Sequence, residues 1–178
     1  MKLLLALAGR PCYQVHKILG CNFDLGNVLE TWILGKNMKV LFLCTGNSCR
    51  SIIAEALFNS MAPAGFSAQS AGSNPTGIVN PRAIEVLKKN GIPTDGLTSK
   101  SWNDLNDMPD LVITLCAEVA GEECPLFLGN VERLHWGMPD PAKVEGDEQT
   151  IAAAFSDTFE NIRLKTVGLL QQVNVTPM

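Results

Sequence analysis

Apolar runs and polar gaps alternate along this chain from residue 38 onward. Short runs rich in branched and aromatic residues predict β-strands at 39–44, 66–71, 110–116 and 131–136. Between and after these runs, apolar residues recur every three or four positions, which predicts helices at 51–62, 80–90 and from about 147 to 172. Strands that alternate with helices are typical of an α/β fold with a parallel sheet. We therefore expect one α/β domain in residues 38–178.

The composition agrees with a single globular domain. Hydrophobic residues make up 46% of the 178-residue chain and charged residues 18%, which is enough apolar material for one core. The formal net charge of −4 argues against a nucleic-acid partner. No apolar run approaches the roughly 20 residues of a membrane helix, so we expect no membrane partner. The apolar run near Met1 is too short for a signal peptide, and we expect residues 1–37 to be an extension outside the fold.

The first predicted strand leads directly into a candidate catalytic loop. Cys44 ends the strand, residues 45–49 are small or polar, Arg50 follows them, and Ser51 opens the predicted helix. We expect Gly46 to take positive φ, so that successive backbone N–H groups point inward as an anion nest at a helix N-terminus. This setting favours a thiolate at Cys44. The predicted oxyanion-binding residues are Thr45, Gly46, Asn47, Ser48, Cys49, Arg50 and Ser51.

Two further cysteines follow a second apolar run. Cys116 ends the β-branched segment 110–116, so it should emerge at the carboxyl edge of the sheet, where open α/β sheets carry their sites. Cys124 comes after seven intervening residues, a spacing that matches no zinc signature. Each of these cysteines alone could equally be a buried core residue.

A carboxyl group that could act as a general acid follows the last predicted strand. Asp140 stands between Pro139 and Pro141, which stiffen the backbone on both sides. An Asp-Pro pair also commonly begins a turn, so the pair alone does not define a catalytic residue. We expect His135 to pack near Trp136 rather than to act as a base.

The string Cys-Thr-Gly-Asn-Ser-Cys-Arg-Ser at 44–51 resembles the low-molecular-weight tyrosine phosphatase family and, more closely, its arsenate reductase branch. The resemblance runs from Met38 to about Leu170 and includes segments 70–72, 80–83, 98–100, 110–116, 135–137 and 140–142. It implies the fold of that family, a three-layer α/β sandwich in which helices flank a four-stranded parallel sheet. The nucleophile loop follows the first strand.

The same resemblance implies reduction of arsenate to arsenite, with catalytic residues Cys44, Arg50, Cys116, Cys124 and Asp140. Reducing arsenic(V) to arsenic(III) takes two electrons, and forming one disulfide supplies two. The family's relay meets this need: Cys44 attacks the oxyanion, Cys116 captures the adduct, and the disulfide passes to Cys124. The Cys49 thiol should be dispensable.

The relay also implies partners and a compartment. Thioredoxin or glutaredoxin with glutathione would supply the electrons, and the resemblance leaves open which of them does. No cofactor is expected. Cysteines that must return to the reduced state fit a cytoplasmic location, and we expect a monomer.

Supporting polar residues can also be carried over from the family. Asn47 should hold the shape of the loop, Ser51 should donate to the Cys44 sulfur, and Ser70 and Thr98 should lie behind the loop. Some relatives bind potassium near this place through an aspartate, but this chain has Lys100 there. We therefore expect no metal, with the ammonium group replacing the cation.

Two other functions remain open from the sequence. A phosphatase acting on phosphotyrosine would share Cys44, Arg50 and Asp140. However, Tyr13 is the chain's single tyrosine, so the aromatic wall that phosphatase relatives place beside Asp-Pro is missing. A sensor of arsenic or another oxyanion would bind through its thiols without turnover.

Overall fold

The structure is a computed structural model that describes residues 37–116 and 131–172. The expectation that the N-terminal segment is an extension therefore falls almost wholly outside the described residues. Cys124 lies outside them as well.

The described residues form four strands and three helices. The strands are β1 (Met38–Cys44), β2 (Phe66–Gly72), β3 (Leu111–Thr114) and β4 (Glu132–His135). The helices are α1 (Arg50–Met61), α2 (Pro81–Lys89) and α3 (Glu148–Gln172), with short 3-10 helices at Trp102–Asp104 and Pro141–Lys143. Each of the four strands and three longer helices corresponds to an element predicted from the sequence, and no end differs by more than two residues. The two 3-10 helices were not predicted.

The strands form one parallel sheet in the order β2-β1-β3-β4. The chain leaves β1 toward β2 on one side and leaves β3 toward β4 on the other. Loops that diverge in this way open a crevice at the carboxyl ends of the two central strands, where ligands bind in open α/β sheets. Cys44 is the last residue of β1 and Cys116 comes two residues after β3, so the topology brings both to the same crevice.

The central strands are buried on both faces. All residues from Val40 to Cys44 and all four residues of β3 are buried, which requires cover on both sides of the sheet. The expected three-layer sandwich with a four-stranded parallel sheet is confirmed. Phe42 lies at its centre, with its ring centroid 6.0 Å from that of Phe58 on α1 and 5.7 Å from that of Trp136.

Helix α1 is more buried than its sequence suggests. Its first two turns are enclosed nearly all round rather than along one apolar stripe, because α1 lies against β1, β2 and α3. The loop before α1 is thus attached to one of the most enclosed elements of the domain.

Among the helices of residues 37–116 and 131–172, none combines the length and apolarity needed to cross a bilayer.

The end of β2 approaches the loop after β1 very closely. A Cβ atom at Gly72 would lie 2.4 Å from the Thr45 carbonyl oxygen and 3.0 Å from the Cβ of Asn47. Real Cβ atoms do not approach backbone oxygens so closely, so only glycine fits without a shift of one segment. Gly72 therefore sets the distance between β2 and the candidate catalytic loop.

We expect Gly72→Ala to destabilise the fold by about 1–3 kcal/mol, the usual cost of forcing an added carbon into a packed site. Gly168→Ala is the matched control. A Cβ at Gly168 on α3 would meet no atom within 4 Å, and alanine is favoured over glycine in a helix by up to about 1 kcal/mol. Urea unfolding of both variants checks the prediction. Equal stability of the two would contradict it.

Candidate active site

Asn47 gives the loop between β1 and α1 its shape. It takes the left-handed conformation with φ 43°, and among the described residues it is the single non-glycine residue with positive φ. The expectation that Gly46 would take positive φ is wrong. Asparagine tolerates this conformation better than most residues, and here its buried amide group is bonded in place.

The carbonyl groups of the loop are tied to segment 74–80 on its outer side. Asn74, Thr76 and Asn80 donate their backbone N–H groups to the carbonyl oxygens of Thr45, Gly46 and Ser48 at 2.9, 3.0 and 3.0 Å. With these carbonyls engaged outside, the inner side is left to the amides, and the Asn47 N–H reaches the Cys44 sulfur at 3.2 Å. This is the arrangement that an anion nest requires.

The Asn47 side chain sets the direction of the hydrogen bonds around Cys44. Its amide nitrogen donates to both Ser51 Oγ and Ser70 Oγ, each at 2.9 Å. A hydroxyl that accepts from Asn47 has its own hydrogen free for a further acceptor. The Ser51 hydroxyl lies 2.9 Å from the Cys44 sulfur, so its hydrogen is available to a thiolate there. The contact expected between Ser51 and Cys44 is therefore present.

The second branch of this network ends at Glu55 on α1. Ser70 donates to the Glu55 carboxylate at 2.5 Å, and the Lys100 ammonium lies 3.9 Å from the same oxygen. Burial raises the pKa of Glu55, while the Ser70 hydrogen bond and Lys100 act in the opposite direction. Lys100 also donates its backbone N–H to Asn47 Oδ1 at 2.7 Å. The structure thus brings Lys100 to the polar network behind the loop.

Ser99, rather than Thr98, contacts the loop from this side. The Thr98 side chain is exposed, whereas the Ser99 hydroxyl donates to the Gly46 carbonyl at 3.4 Å and accepts from the Gly77 N–H at 3.2 Å. Within the described parts of the chain, no group of three His, Cys, Asp or Glu side chains could hold a metal ion.

Arg50 and Asp140 meet at the mouth of the loop. Arg50 is buried, and its Nη2 donates to Asp140 Oδ2 at 2.7 Å while Nη1 donates to the Met138 carbonyl at 3.1 Å. The other carboxylate oxygen of Asp140 accepts from the Ala142 N–H at 3.1 Å and caps the following 3-10 helix. A guanidinium has five N–H donors, so further donors remain for an oxyanion.

Cys116 lies beside the loop of Cys44. Its sulfur is 3.4 Å from the Thr45 hydroxyl, and its side chain is buried. Residues that are 71 positions apart in sequence thus meet at the crevice between β1 and β3. A second free thiol therefore lies beside the loop that follows Cys44. The relay stays a prediction, because its third cysteine, Cys124, lies outside the described residues.

Cys49 differs from the other two described cysteines. Burial raises the pKa of its thiol from 9.0 to about 11, and the hydrogen bond from the Ser48 hydroxyl opposes this only in part. At neutral pH the group is therefore an un-ionised thiol, which is a poor nucleophile. The expectation that the Cys49 thiol is dispensable stays a prediction.

Sequence reasoning missed several groups that shape the site. The contact of Thr45 with Cys116, the bond of Arg50 to the Met138 carbonyl and the carboxylate of Glu55 all join segments far apart in the chain. The small residues of segment 70–72 were the one available signal, because they permit the close approach of β2. No local pattern marks the other contacts.

We expect Cys49→Ala to remove an alkaline loss of stability. Because the folded-state pKa of this thiol is above its unfolded value of 9.0, the folded protein holds the proton more tightly. The resulting stabilisation is complete below pH 9 and is lost as the pH rises toward 11. Between these values the wild type should lose about 2–3 kcal/mol more than the variant, at about 1.4 kcal/mol per pKa unit. Urea unfolding across this pH range, with reductant present, measures the free energy of unfolding of both proteins. An equal loss of that free energy in the wild type and the variant would refute the expectation.

Known proteins match this chain in sequence and in structure. A profile of the low molecular weight phosphotyrosine protein phosphatases matches residues 39–176. An arsenate reductase of Halalkalibacterium halodurans is 42% identical over 134 residues, which span 73% of this chain and 95% of that protein.

Two solved structures share the fold. The thioredoxin-dependent arsenate reductase of Corynebacterium glutamicum matches with a TM-score of 0.61 and 26% identity, over 83% of this chain and 67% of that one. A low molecular weight protein tyrosine phosphatase of T. tengcongensis matches with a TM-score of 0.61 and 28% identity, over 76% of this chain and 99% of that one. The chain therefore belongs to the low molecular weight phosphotyrosine protein phosphatase family, in the branch that contains the arsenate reductases.

Proposed function

We propose that this chain reduces arsenate to arsenite with Cys44 as its nucleophile. Arg50 and the amides of loop 45–51 bind the oxyanion, and Asp140 protonates the oxygen that leaves arsenic. Cys116 and Cys124 then carry the oxidising equivalents away. The observation that carries this proposal is the Thr45 hydroxyl 3.4 Å from the Cys116 sulfur, because it brings a second free thiol to the nucleophile loop. Hydrolysis of a phosphate ester has no need of that thiol.

The first step joins Cys44 to arsenic. The Cys44 thiolate attacks arsenic(V), and an oxygen of arsenate leaves as water after taking up a proton from Asp140. Support for the thiolate comes from the Ser51 hydroxyl and the Asn47 N–H, which both reach the sulfur. The carboxylate of Asp140 contacts Arg50, the group proposed to bind the oxyanion, and so lies within reach of a leaving oxygen.

The second step moves two electrons to arsenic. A Cys116 thiolate attacks the Cys44 sulfur, a disulfide forms, and the electron pair of the sulfur–arsenic bond leaves with arsenic as arsenite. Cys124 then attacks Cys116 and frees Cys44 for another cycle. The attack by Cys116 forms the disulfide as arsenic is reduced, and the attack by Cys124 conserves one disulfide. Each needs a thiolate as the attacking group.

The remaining disulfide needs an external reductant. We assign this role to a thioredoxin, with glutaredoxin and glutathione as the other candidate, because the C. glutamicum relative is thioredoxin-dependent. A cycle of this kind requires a compartment that keeps thiols reduced, which fits the cytoplasm. Arsenite release measured separately with each donor distinguishes the two, and phosphate release from an aryl phosphate measures the phosphatase alternative.

Arg50→Lys should lower kcat/KM for arsenate by roughly 10²–10³, the loss seen when one oxyanion donor is removed. Lysine offers a point charge and cannot reproduce the planar fork that contacts both Met138 and Asp140. Arg82→Lys is the control, since Arg82 pairs with Glu148 on an exposed surface. Steady-state kinetics checks the prediction, and a near-normal rate for Arg50→Lys would mean that the loop amides suffice.

Cys44→Ser should have no activity.

Variants of the relay cysteines should stop the reaction at different points. Cys124→Ser should release about one arsenite per enzyme and trap a disulfide between Cys44 and Cys116. Cys116→Ser should stop earlier, with arsenic still attached to Cys44. Cys49→Ala should turn over repeatedly, because its thiol has no part in the relay.

Peptide mapping of single-turnover products identifies which cysteines are joined. Steady turnover by Cys124→Ser with a protein donor would show that the donor resolves the first disulfide directly. Unchanged arsenite release by both relay variants would refute the relay. Phosphate release from an aryl phosphate without any arsenite release would leave only the phosphatase alternative.

A further inference from the structure

His135 joins the ends of the two strands that lead to Cys116 and Asp140. It is the last residue of β4, and its Nδ1 lies 2.8 Å from the hydroxyl of Thr114, its partner at the end of β3. The histidine is exposed, so core packing does not account for its position. The hydrogen bond to Thr114 holds the ring on one edge.

The opposite edge of the ring lies against the backbone of Gly137. A Cβ at Gly137 would be 2.5 Å from His135 Nε2 and 3.3 Å from the two neighbouring ring carbons. Glycine has the widest range of backbone conformations of any residue and restricts the chain least. The imidazole fills the space that a side chain at this position would take, and so limits the path of the backbone there.

Residues on either side of Gly137 are fixed by the backbone of the neighbouring segment. Trp136 donates its N–H to the Thr114 carbonyl at 2.8 Å, and Met138 donates to the Leu115 carbonyl at 3.2 Å. The Trp136 side chain is buried. Gly137 therefore lies between two residues whose backbone N–H groups are hydrogen-bonded, three positions ahead of Asp140.

We propose that His135 is a positioning residue for Asp140. This inference rests on the proposed function. The imidazole ring, which Thr114 holds, fixes the chain at Gly137 and so directs the Asp140 carboxyl group toward the leaving oxygen. His135 transfers no proton itself. A displacement of about 1 Å in a reacting group can cost up to roughly a hundredfold in rate, so a modest shift of the loop would be measurable.

The test compares His135→Ala with His135→Asn and Thr114→Val. Alanine removes the ring, and valine removes the hydroxyl that holds it, so each should lower kcat about tenfold or more with little change in KM. Asparagine keeps a polar atom at the place of Nδ1 and should recover most of the loss. Glu132→Ala, at the exposed start of the same strand, is the control and should behave as the wild type.

Two readouts separate positioning from a general structural role. Alkylation of Cys44 by iodoacetamide needs no general acid. Its rate should therefore be the same in His135→Ala and the wild type. In an Asp140→Asn background, His135→Ala should cause no further loss, because the acid through which it acts is already absent. Slower alkylation, a further loss in that background, or an unchanged kcat would each overturn the proposal.

The same set of variants is assayed for hydrolysis of an aryl phosphate, which uses Cys44, Arg50 and Asp140 without the relay. Failure of the wild type to reduce arsenate would then count against the proposed function alone. Hydrolysis of the aryl phosphate would still test the role of His135. The same loss of kcat in His135→Ala, and the same absence of a further loss in the Asp140→Asn background, would be expected.

Discussion

The loop between β1 and α1 depends on the hydrogen bonds of the Asn47 side chain. Its carbonyl oxygen accepts from the Lys100 backbone, and its amide nitrogen donates to Ser51 and Ser70. With every polar atom of a fully buried amide in use, its left-handed backbone conformation is stabilised and the loop has little freedom. The direction of donation leaves the Ser51 hydrogen for Cys44. The shape of the loop and the hydrogen bond from Ser51 to the proposed nucleophile thus both depend on Asn47.

The order of the strands decides which chemical groups can meet. Because β1 and β3 are neighbours at the centre of the sheet, the cysteines at their carboxyl ends reach the same crevice. The adjacent β4 brings Asp140 to that edge, where it pairs with Arg50 from the start of α1. The groups proposed as nucleophile, second thiol, acid and oxyanion donor therefore come from three separate segments, at 44–51, at 116 and at 140. The sheet serves as the common rigid support.

Much of the precision at this site comes from residues that touch no reacting atom. Gly72 allows β2 to approach the loop, and segment 74–80 holds the loop carbonyls on the outside. His135 and Gly137 restrict the chain before Asp140 in a similar way. These contacts hold the residues that are proposed to react, which lowers the cost of ordering them during a reaction.

The sequence by itself determined the elements, the fold class and the identity of the loop. Apolar periodicity is a local property, and the string at 44–51 carries the loop chemistry within eight adjacent residues. Tertiary structure decided that Asn47 rather than Gly46 takes positive φ, that Ser99 rather than Thr98 contacts the loop, and that α1 is enclosed nearly all round. It alone brought Thr45 to Cys116 and His135 to Thr114. The physical reason is that these outcomes depend on hydrogen bonds and packing between segments distant in the chain, which no local pattern encodes.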